Sequence, residues 1–236
     1  TPFAIDLHGR CSNDMRTHAT RRATVLSAVL VVATITTIPL FGGAAVAQEA
    51  TTNDYFETFR SMEGTEAYQE YDELETVRTF AVSQTQVTGE LTPAERAEFE
   101  AVAGTLRAFD RAYVQAENGE YEASLAAAEN ASTHIDDLEE HDQTQATLAT
   151  LALTRFYGQL GDGLYEEAEK TNRTQVRIDY LEMTATAYER ADMPEEAAQF
   201  RVQAEGLRAE FERDRETIAT ARNTSTAFLE QCSDCA

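Results

Sequence analysis

Apolar side chains recur every three or four residues along most of this 236-residue chain. The clearest stripe consists of Phe99, Val102, Leu106, Phe109 and Tyr113. This spacing places the five side chains on one face of an α-helix, and no stretch of the chain alternates with the period of two that a strand needs. The sequence therefore predicts an all-α fold.

The ends of this helix are also marked. In "LTPAERAEFE", Thr92 is placed to cap the helix, Pro93 takes the first helical position, and Glu95 completes a capping box. Asn118 and Gly119 are typical of a helix end. Pro194 predicts a second helix start of the same kind.

Other helices follow the same periodicity. We expect an early helical region over 55–87 with a break at Gly64, a helix from Tyr121, and a third helix carrying Leu148, Leu151 and Leu160. Gly161-Asp162-Gly163 is expected to stop that third helix, a fourth is expected to begin at Tyr165 and to break near 170–174, and a long final helix is expected to run towards Ile218. Short connections between such helices favour antiparallel hairpins, arranged as repeats or as an irregular bundle.

The segment 20–50 has the pattern of an export signal. Arg21 and Arg22 precede a stretch without charge from Ala23 to Gln48, which ends in the small residues Ala45-Val46-Ala47. We expect cleavage after Ala47, with an uncleaved membrane anchor as the alternative, because the uncharged stretch is long enough to span a bilayer. Met15 is a more natural start for this signal than Thr1, so residues 1–14 are interpreted as an upstream over-read.

These features divide the chain into five parts. They are the over-read at 1–14, a signal peptide or signal anchor at 15–47, an N-terminal helical segment at 48–90, a helical-hairpin domain at 91–231, and a C-x-x-C tail at 232–236. Near the start of the mature part, Tyr55, Phe56 and Phe59 are expected to dock the first helix onto the remaining helices. The alternative for these three side chains is contact with a membrane or a partner.

The charge is strongly negative. The whole chain carries a net charge of −23, and removal of 1–47, with four arginines and two aspartates, leaves −25. Such a charge repels nucleic acid and anionic lipid, so neither is expected as a main partner. Lys170 is the only lysine. An acidic excess with almost no lysine resembles the composition of proteins from extremely halophilic archaea, where salt screens self-repulsion; an acidic secreted protein from a GC-rich genome is the alternative.

Part of the chain resembles tetratricopeptide (TPR) repeats. Leu181, Ala185, Tyr188, Ala197 and Ala204 fall where that family has Leu, Gly or Ala, Tyr, Ala and Ala. The stretches 163–168 and 117–131 are similar, although a serine at 124 takes the place of the expected alanine. The segments are separated by 29 and 44 residues, whereas the repeat period is 34. The resemblance implies TPR-like helix pairs, and generic hairpin packing is the alternative.

Histidines and cysteines offer a weak alternative metal site. His134 and His141 lie among carboxylates, and Cys232 and Cys235 form the C-x-x-C at the end of the chain. Two cysteines with remote histidines are a poor zinc site, which needs about four ligands. For an exported chain, a disulfide that involves Cys232 and Cys235 is the favoured interpretation. No cofactor is expected, with zinc as the alternative.

Three Asn-x-Ser/Thr sequons are candidate glycosylation sites of an exported protein, at Asn172, Asn223 and Asn130. Asn172 is the best of them because its neighbours are typical of a loop. Asn130 falls inside a predicted helix, which argues against modification unless that face is exposed.

The sequence contains no phosphate-binding glycine loop and no Glu-x-x-His pairs of a di-iron bundle. We therefore expect a non-enzymatic, extracytoplasmic helical protein that binds a protein partner at the cell surface, either secreted or attached to the outer face of the membrane. Helix-pair arrays suit this role because they leave extended surfaces for recognition. The alternative is a ligand- or metal-binding helical bundle, tethered to the membrane if the signal is retained. An extracellular hydrolase has no supporting motif.

Overall fold

The computed structural model describes residues 50–233, with side chains described for 50–228. These residues form helices and connecting turns without any strand, which confirms the predicted all-α class. The helices are α1 (Thr52–Ser61), α2 (Glu66–Glu70), α3 (Asp72–Val87), α4 (Pro93–Glu117), α5 (Tyr121–Glu139), α6 (Gln143–Lys170), α7 (Thr174–Arg190) and α8 (Pro194–Ser233).

Local cap chemistry sets several helix ends as predicted. The Thr92 side chain accepts a hydrogen bond from the backbone N–H of Glu95, and the Glu95 carboxylate accepts one from the backbone N–H of Thr92. The same box, formed by Thr51 and Asp54, begins α1. After α4, Gly119 takes the left-handed backbone conformation with φ of 74°, which glycine adopts without strain.

Three predictions about α6 are wrong. Tyr165 lies inside this helix and does not begin a fourth one. Gly161-Asp162-Gly163 does not stop the helix, because α6 continues without a break from Gln143 to Lys170. Gly161 is buried in the helix, where it allows the ring of Tyr188 in α7 to approach closely. Leu151 does not belong to the buried face, since 54% of it is exposed.

Two of the three N-terminal aromatic side chains, Tyr55 and Phe59, dock onto α4 as predicted, whereas Phe56 is half buried and lies beside α3. Phe59 is fully buried and Tyr55 nearly so. Their rings lie 6.0 and 5.4 Å from the ring of Phe99, measured between centroids. Helices α1–α3 therefore share one hydrophobic core with α4–α6.

A second, smaller cluster lies between the end of α6, α7 and the first half of α8. Ala168, Ile178, Leu181 and Ala204 form its buried centre, and Phe200 and Leu207 pack against it. Arg201 and Arg208 of α8 form ion pairs with Glu189 and Glu182 of α7 on the outside of this contact. Exposed ion pairs contribute little, so the apolar contact supplies most of the stabilisation here.

Candidate functional site

The candidate site is a pocket where α6 meets the end of α4, the start of α5 and the junction of α2 and α3. It has a volume of about 290 Å³. We call it the aromatic pocket, and its principal lining residues are Glu70, Tyr71, Tyr113, Glu117, Tyr121 and Phe156. Gln159 and Gly163 of α6 complete one wall.

Tyr71 is the centre of the aromatic wall and is almost completely buried. Its ring meets those of Tyr113 and Phe156 edge to face, with centroids 6.3 and 6.2 Å apart. Such edge-to-face pairs are the arrangement that aromatic quadrupoles favour. The wall is therefore a rigid part of the core rather than a set of loose surface rings.

Arg155 fixes this wall from α6. Its guanidinium lies 4.7 Å from the centroid of the Tyr71 ring. It also donates hydrogen bonds to the backbone oxygen of Glu70 at 2.7 Å and to the Glu73 carboxylate at 2.9 Å. Arg155 thereby ties the junction of α2 and α3 to α6, although it is not one of the residues that line the pocket.

The tyrosine hydroxyls of the pocket are neutral hydrogen-bond donors. The Tyr113 hydroxyl donates to the Glu70 carboxylate at 3.0 Å, and burial together with this carboxylate raises the pKa of Tyr113 to about 12. The Tyr71 hydroxyl donates to the side-chain oxygen of Gln159, and burial raises the pKa of Tyr71 well above its usual value. The charged side chains among the lining residues are thus the carboxylates Glu70 and Glu117.

A second surface is the far half of α8. From Arg208 to Phe228 every side chain is exposed except Phe211, which is half buried. Ile218 and Phe228 expose 68% and 64% of their surface to solvent. We call residues 212–228 the exposed segment of α8.

Of the four candidate metal ligands, the structure describes the side chains of two, His134 and His141. The His134 ring lies flat on Gly104 of α4, and its Nδ1 is 3.9 Å from an Asp137 carboxylate oxygen. His141 is exposed in the turn after α5. In the described part of the chain, no group of three or more His, Cys, Asp or Glu side chains is placed to hold a metal ion.

The C-x-x-C pair and the export segment lie mostly outside the described residues. Cys232 lies in the last turn of α8, while its side chain and all of Cys235 fall outside the described part. Ala47, with the segments 1–14 and 15–47, falls outside as well. Among residues 50–233, no helix is both long enough and apolar enough to cross a membrane.

The sequons differ in their backbone setting. Asn172 is exposed in the connection between α6 and α7. Asn130 and Asn223 are also exposed, but they lie within α5 and α8. Asn172 therefore remains the candidate with the loop setting that the sequence predicted.

Sequence analysis did not find the aromatic pocket. Tyr71, Tyr113 and Phe156 have the helical spacing of core residues, and they are indeed buried. Glu70, next to Tyr71, was the available signal, because a carboxylate beside a core tyrosine places charge at the edge of the core. Whether neighbouring helices close over that edge depends on packing between distant segments.

Searches against protein-family models, curated proteins and solved structures found no match to this chain.

Proposed function

We propose that this chain is a non-enzymatic, extracytoplasmic helical protein that binds another protein at the cell surface. The observation that carries the proposal is the exposed segment of α8, a helix surface of about four to five turns that lies beyond the contacts with α7. The extracytoplasmic location rests on the export pattern of residues 20–50.

A helix of this composition has little stability of its own. The stretch "ETIATARNTSTAF" at 216–228 is rich in threonine and other residues of low helix propensity. Isolated helices shorter than about 12–15 residues are marginal in water even when their sequences are favourable. Packing of its exposed apolar side chains, Ile218 and Phe228, against a partner would stabilise this segment.

Charge also favours this segment as the contact surface. Residues 212–228 carry three arginines and three acidic side chains, so their net charge is zero, whereas the chain as a whole carries −23. A protein partner that is itself acidic meets the least repulsion here. The same overall charge argues against nucleic acid as the partner.

The arrangement of α4–α8 supports a TPR-like interpretation. As α5 advances from Ser124 to His134, its contacts on α4 move back from Ala112 to Gly104. The ion pairs of α8 with α7 show the same reversal, from Glu189 back to Glu182 as α8 advances from Arg201 to Arg208. We infer that α4 and α5, and likewise α7 and α8, form antiparallel hairpins. We further propose that these hairpins are related to the repeats of the TPR family.

The test is cross-linking on intact cells at native salt, with the full tagged chain recovered for mass spectrometry. Ile218→Asp combined with Phe228→Asp should abolish the attached partner peptides, because two charges would enter the apolar contact. The matched control is Phe80→Asp combined with Leu151→Asp, since both of these side chains are exposed apolar residues outside α8. Equal partner recovery from the two double variants would contradict the proposal.

The mature N-terminus should be determined in the same experiment. Gln48 as the first residue is the expected result for a cleaved signal. A retained segment 15–47 would instead indicate a chain attached to the outer face of the membrane through that segment.

A ligand-binding helical bundle is the second candidate function, and the aromatic pocket is the observation that favours it. Its concave shape and buried aromatic wall are typical of small-molecule sites. The metal-binding form of this alternative, through Cys232, Cys235, His134 and His141 with zinc, gains no such support from the described residues.

A further inference from the structure

We propose that the aromatic pocket binds the cationic head of an organic ammonium compound, such as a quaternary or alkylated amine. This inference rests on the second candidate function, the ligand-binding bundle, and names the chemical class of its ligand. It does not depend on the protein-binding role of α8.

The aromatic wall provides the first argument. The faces of tyrosine and phenylalanine rings carry negative partial charge and attract cations within about 6 Å, most strongly where water is excluded. The Tyr71 ring already holds one cation, the Arg155 guanidinium, 4.7 Å from its centroid. That contact lies outside the pocket lining, and Tyr113, Tyr121 and Phe156 place three further rings at the cavity itself.

The sign of the charge is the second argument. Glu70 and Glu117 stand in the lining, and none of the described lining residues is basic. An anionic ligand would be repelled by these carboxylates, whereas a cation gains Coulomb attraction from both. The exposed carboxylates also remain hydrated on their outer side, so the pocket does not bury an unpaired charge.

The hydroxyl groups provide the third argument. Tyr71 and Tyr113 both use their protons, on Gln159 and on Glu70 respectively. Their remaining capacity is as acceptors, which suits a ligand that is positively charged or donates hydrogen bonds. A ligand rich in acceptor oxygens would find no free hydroxyl proton at these two positions.

The size of the cavity excludes bulky ligands. A volume of about 290 Å³ lies at the lower end of the range for small-molecule sites. A trimethylammonium head with a short tail fits this volume.

Gly163 offers a way to close the pocket without disturbing the fold. It lies in α6 and lines the cavity, and a Cβ built on it meets no atom within 4 Å. Gly163→Leu should therefore fill the pocket. The matched control is Gly158→Leu, since Gly158 lies in the same helix with equally open space at its Cβ but does not line the pocket.

The experiment titrates tetramethylammonium chloride into the full chain at constant ionic strength, followed by isothermal calorimetry and ligand-observed NMR. We expect saturable binding to the original chain and to Gly158→Leu, with at least tenfold weaker binding to Gly163→Leu. Glu117→Gln should weaken binding several-fold. Circular dichroism and thermal unfolding of each variant verify that the fold is retained.

A neutral analogue of the same shape distinguishes a wrong ligand class from a pocket that binds no ligand. The uncharged probe is 3,3-dimethyl-1-butanol, which carries a tert-butyl group in place of the ammonium head. If it binds as well as tetramethylammonium, and Gly163→Leu abolishes that binding, the pocket is a ligand site but the cationic class is wrong. If neither probe binds, or if Gly163→Leu binds both normally, the ligand-binding function of this pocket fails as well.

Discussion

The ring of Tyr188 lies directly on Gly161, where a Cβ on the glycine would come within 3.2 Å of two ring carbons. The ring also stacks on Phe200, with centroids 5.4 Å apart and planes 9° from parallel. The Tyr188 hydroxyl donates a hydrogen bond to the Asp162 carboxylate. One tyrosine of α7 thus connects α6 with α8, and the absence of a side chain at 161 is what permits the contact.

Gly161→Ala should therefore destabilise the protein. The Tyr188 ring cannot move away freely because it is stacked on Phe200 and hydrogen-bonded to Asp162, so we expect a loss of roughly 1–3 kcal/mol in the free energy of unfolding, typical of overpacking. Gly158→Ala is the control and should raise stability by about 0.5–1 kcal/mol, because alanine favours the helix and the space there is open. Chemical denaturation at native salt measures both; a stabilised Gly161→Ala would contradict the packing described.

These glycines also show how far sequence could predict the fold. The start of α4 was predictable because Thr92, Pro93 and Glu95 act within one turn, and Gly119 could end that helix by its own backbone conformation. Gly161 is also a glycine, yet its role depends on a ring contributed by another helix. Local sequence does not distinguish a glycine that ends a helix from one that admits a neighbour.

Ser124 tests the contact between α4 and α5. Its hydroxyl is fully buried and donates a hydrogen bond of 2.8 Å to the backbone oxygen of Ala112. Ser124→Ala, which restores the residue expected from the TPR pattern, should lower the free energy of unfolding by about 0.5–1.5 kcal/mol because this bond is lost. Ser83→Ala is a suitable control, since that hydroxyl bonds only within its own helix on an exposed face. Equal effects of the two substitutions would contradict a specific role for the bond across helices.

Arg78 tests the attachment of α1 to α3. Its guanidinium is buried and donates to the backbone oxygen of Phe59, near the end of α1, at 3.2 Å, while two further donors bind the Glu75 carboxylate. Arg78→Met should cost roughly 1–3 kcal/mol, because the Phe59 oxygen loses its side-chain partner. Glu75 is 42% exposed and stays hydrated, which keeps the cost below that of breaking a fully buried pair. Arg78→Lys, with its charge retained, should be intermediate in denaturant titrations.

The same pair predicts a pH dependence. The hydrogen bond from Arg78 holds the pKa of Glu75 below its usual value. A depressed pKa in the folded state means that ionised Glu75 stabilises the fold fully above its pKa in the unfolded chain, about 4.3. This stabilisation is lost as the pH falls below that value. Glu75→Gln should therefore be less stable than the original chain at pH 7, with a difference that shrinks between pH 5 and pH 3. A difference that stays constant over this range, measured by thermal unfolding, would exclude the linkage.

The candidate site was less predictable than the helices for a physical reason. The spacing of Tyr113 correctly predicted its burial, because burial of a helix face is a property of that helix, and Tyr71 and Phe156 are buried as well. The gap between them arises where three segments far apart in sequence fail to close completely. Such a gap is a property of tertiary packing, so neither its volume nor its acidic edge follows from spacing alone.

Salt should stabilise this protein strongly, because it screens the repulsion among the acidic side chains. At low ionic strength the net charge of −23 on the chain repels itself over about 10 Å, whereas molar salt reduces that range to about 3 Å. We therefore expect the urea midpoint to rise steadily between 0.15 and 3 M KCl.

The control for this effect is a variant with the exposed acidic group at the end of α5 neutralised, namely Asp136→Asn, Asp137→Asn, Glu139→Gln and Glu140→Gln. Removal of four negative charges relieves repulsion that salt would otherwise screen, so the variant should be more stable than the original chain in dilute buffer and should respond less to KCl. General salting-out acts on both chains alike because it depends on surface exposed during unfolding rather than on charge. If the urea midpoints of the two proteins rise equally with KCl, the stabilisation is due to salting-out and not to screening of charge repulsion.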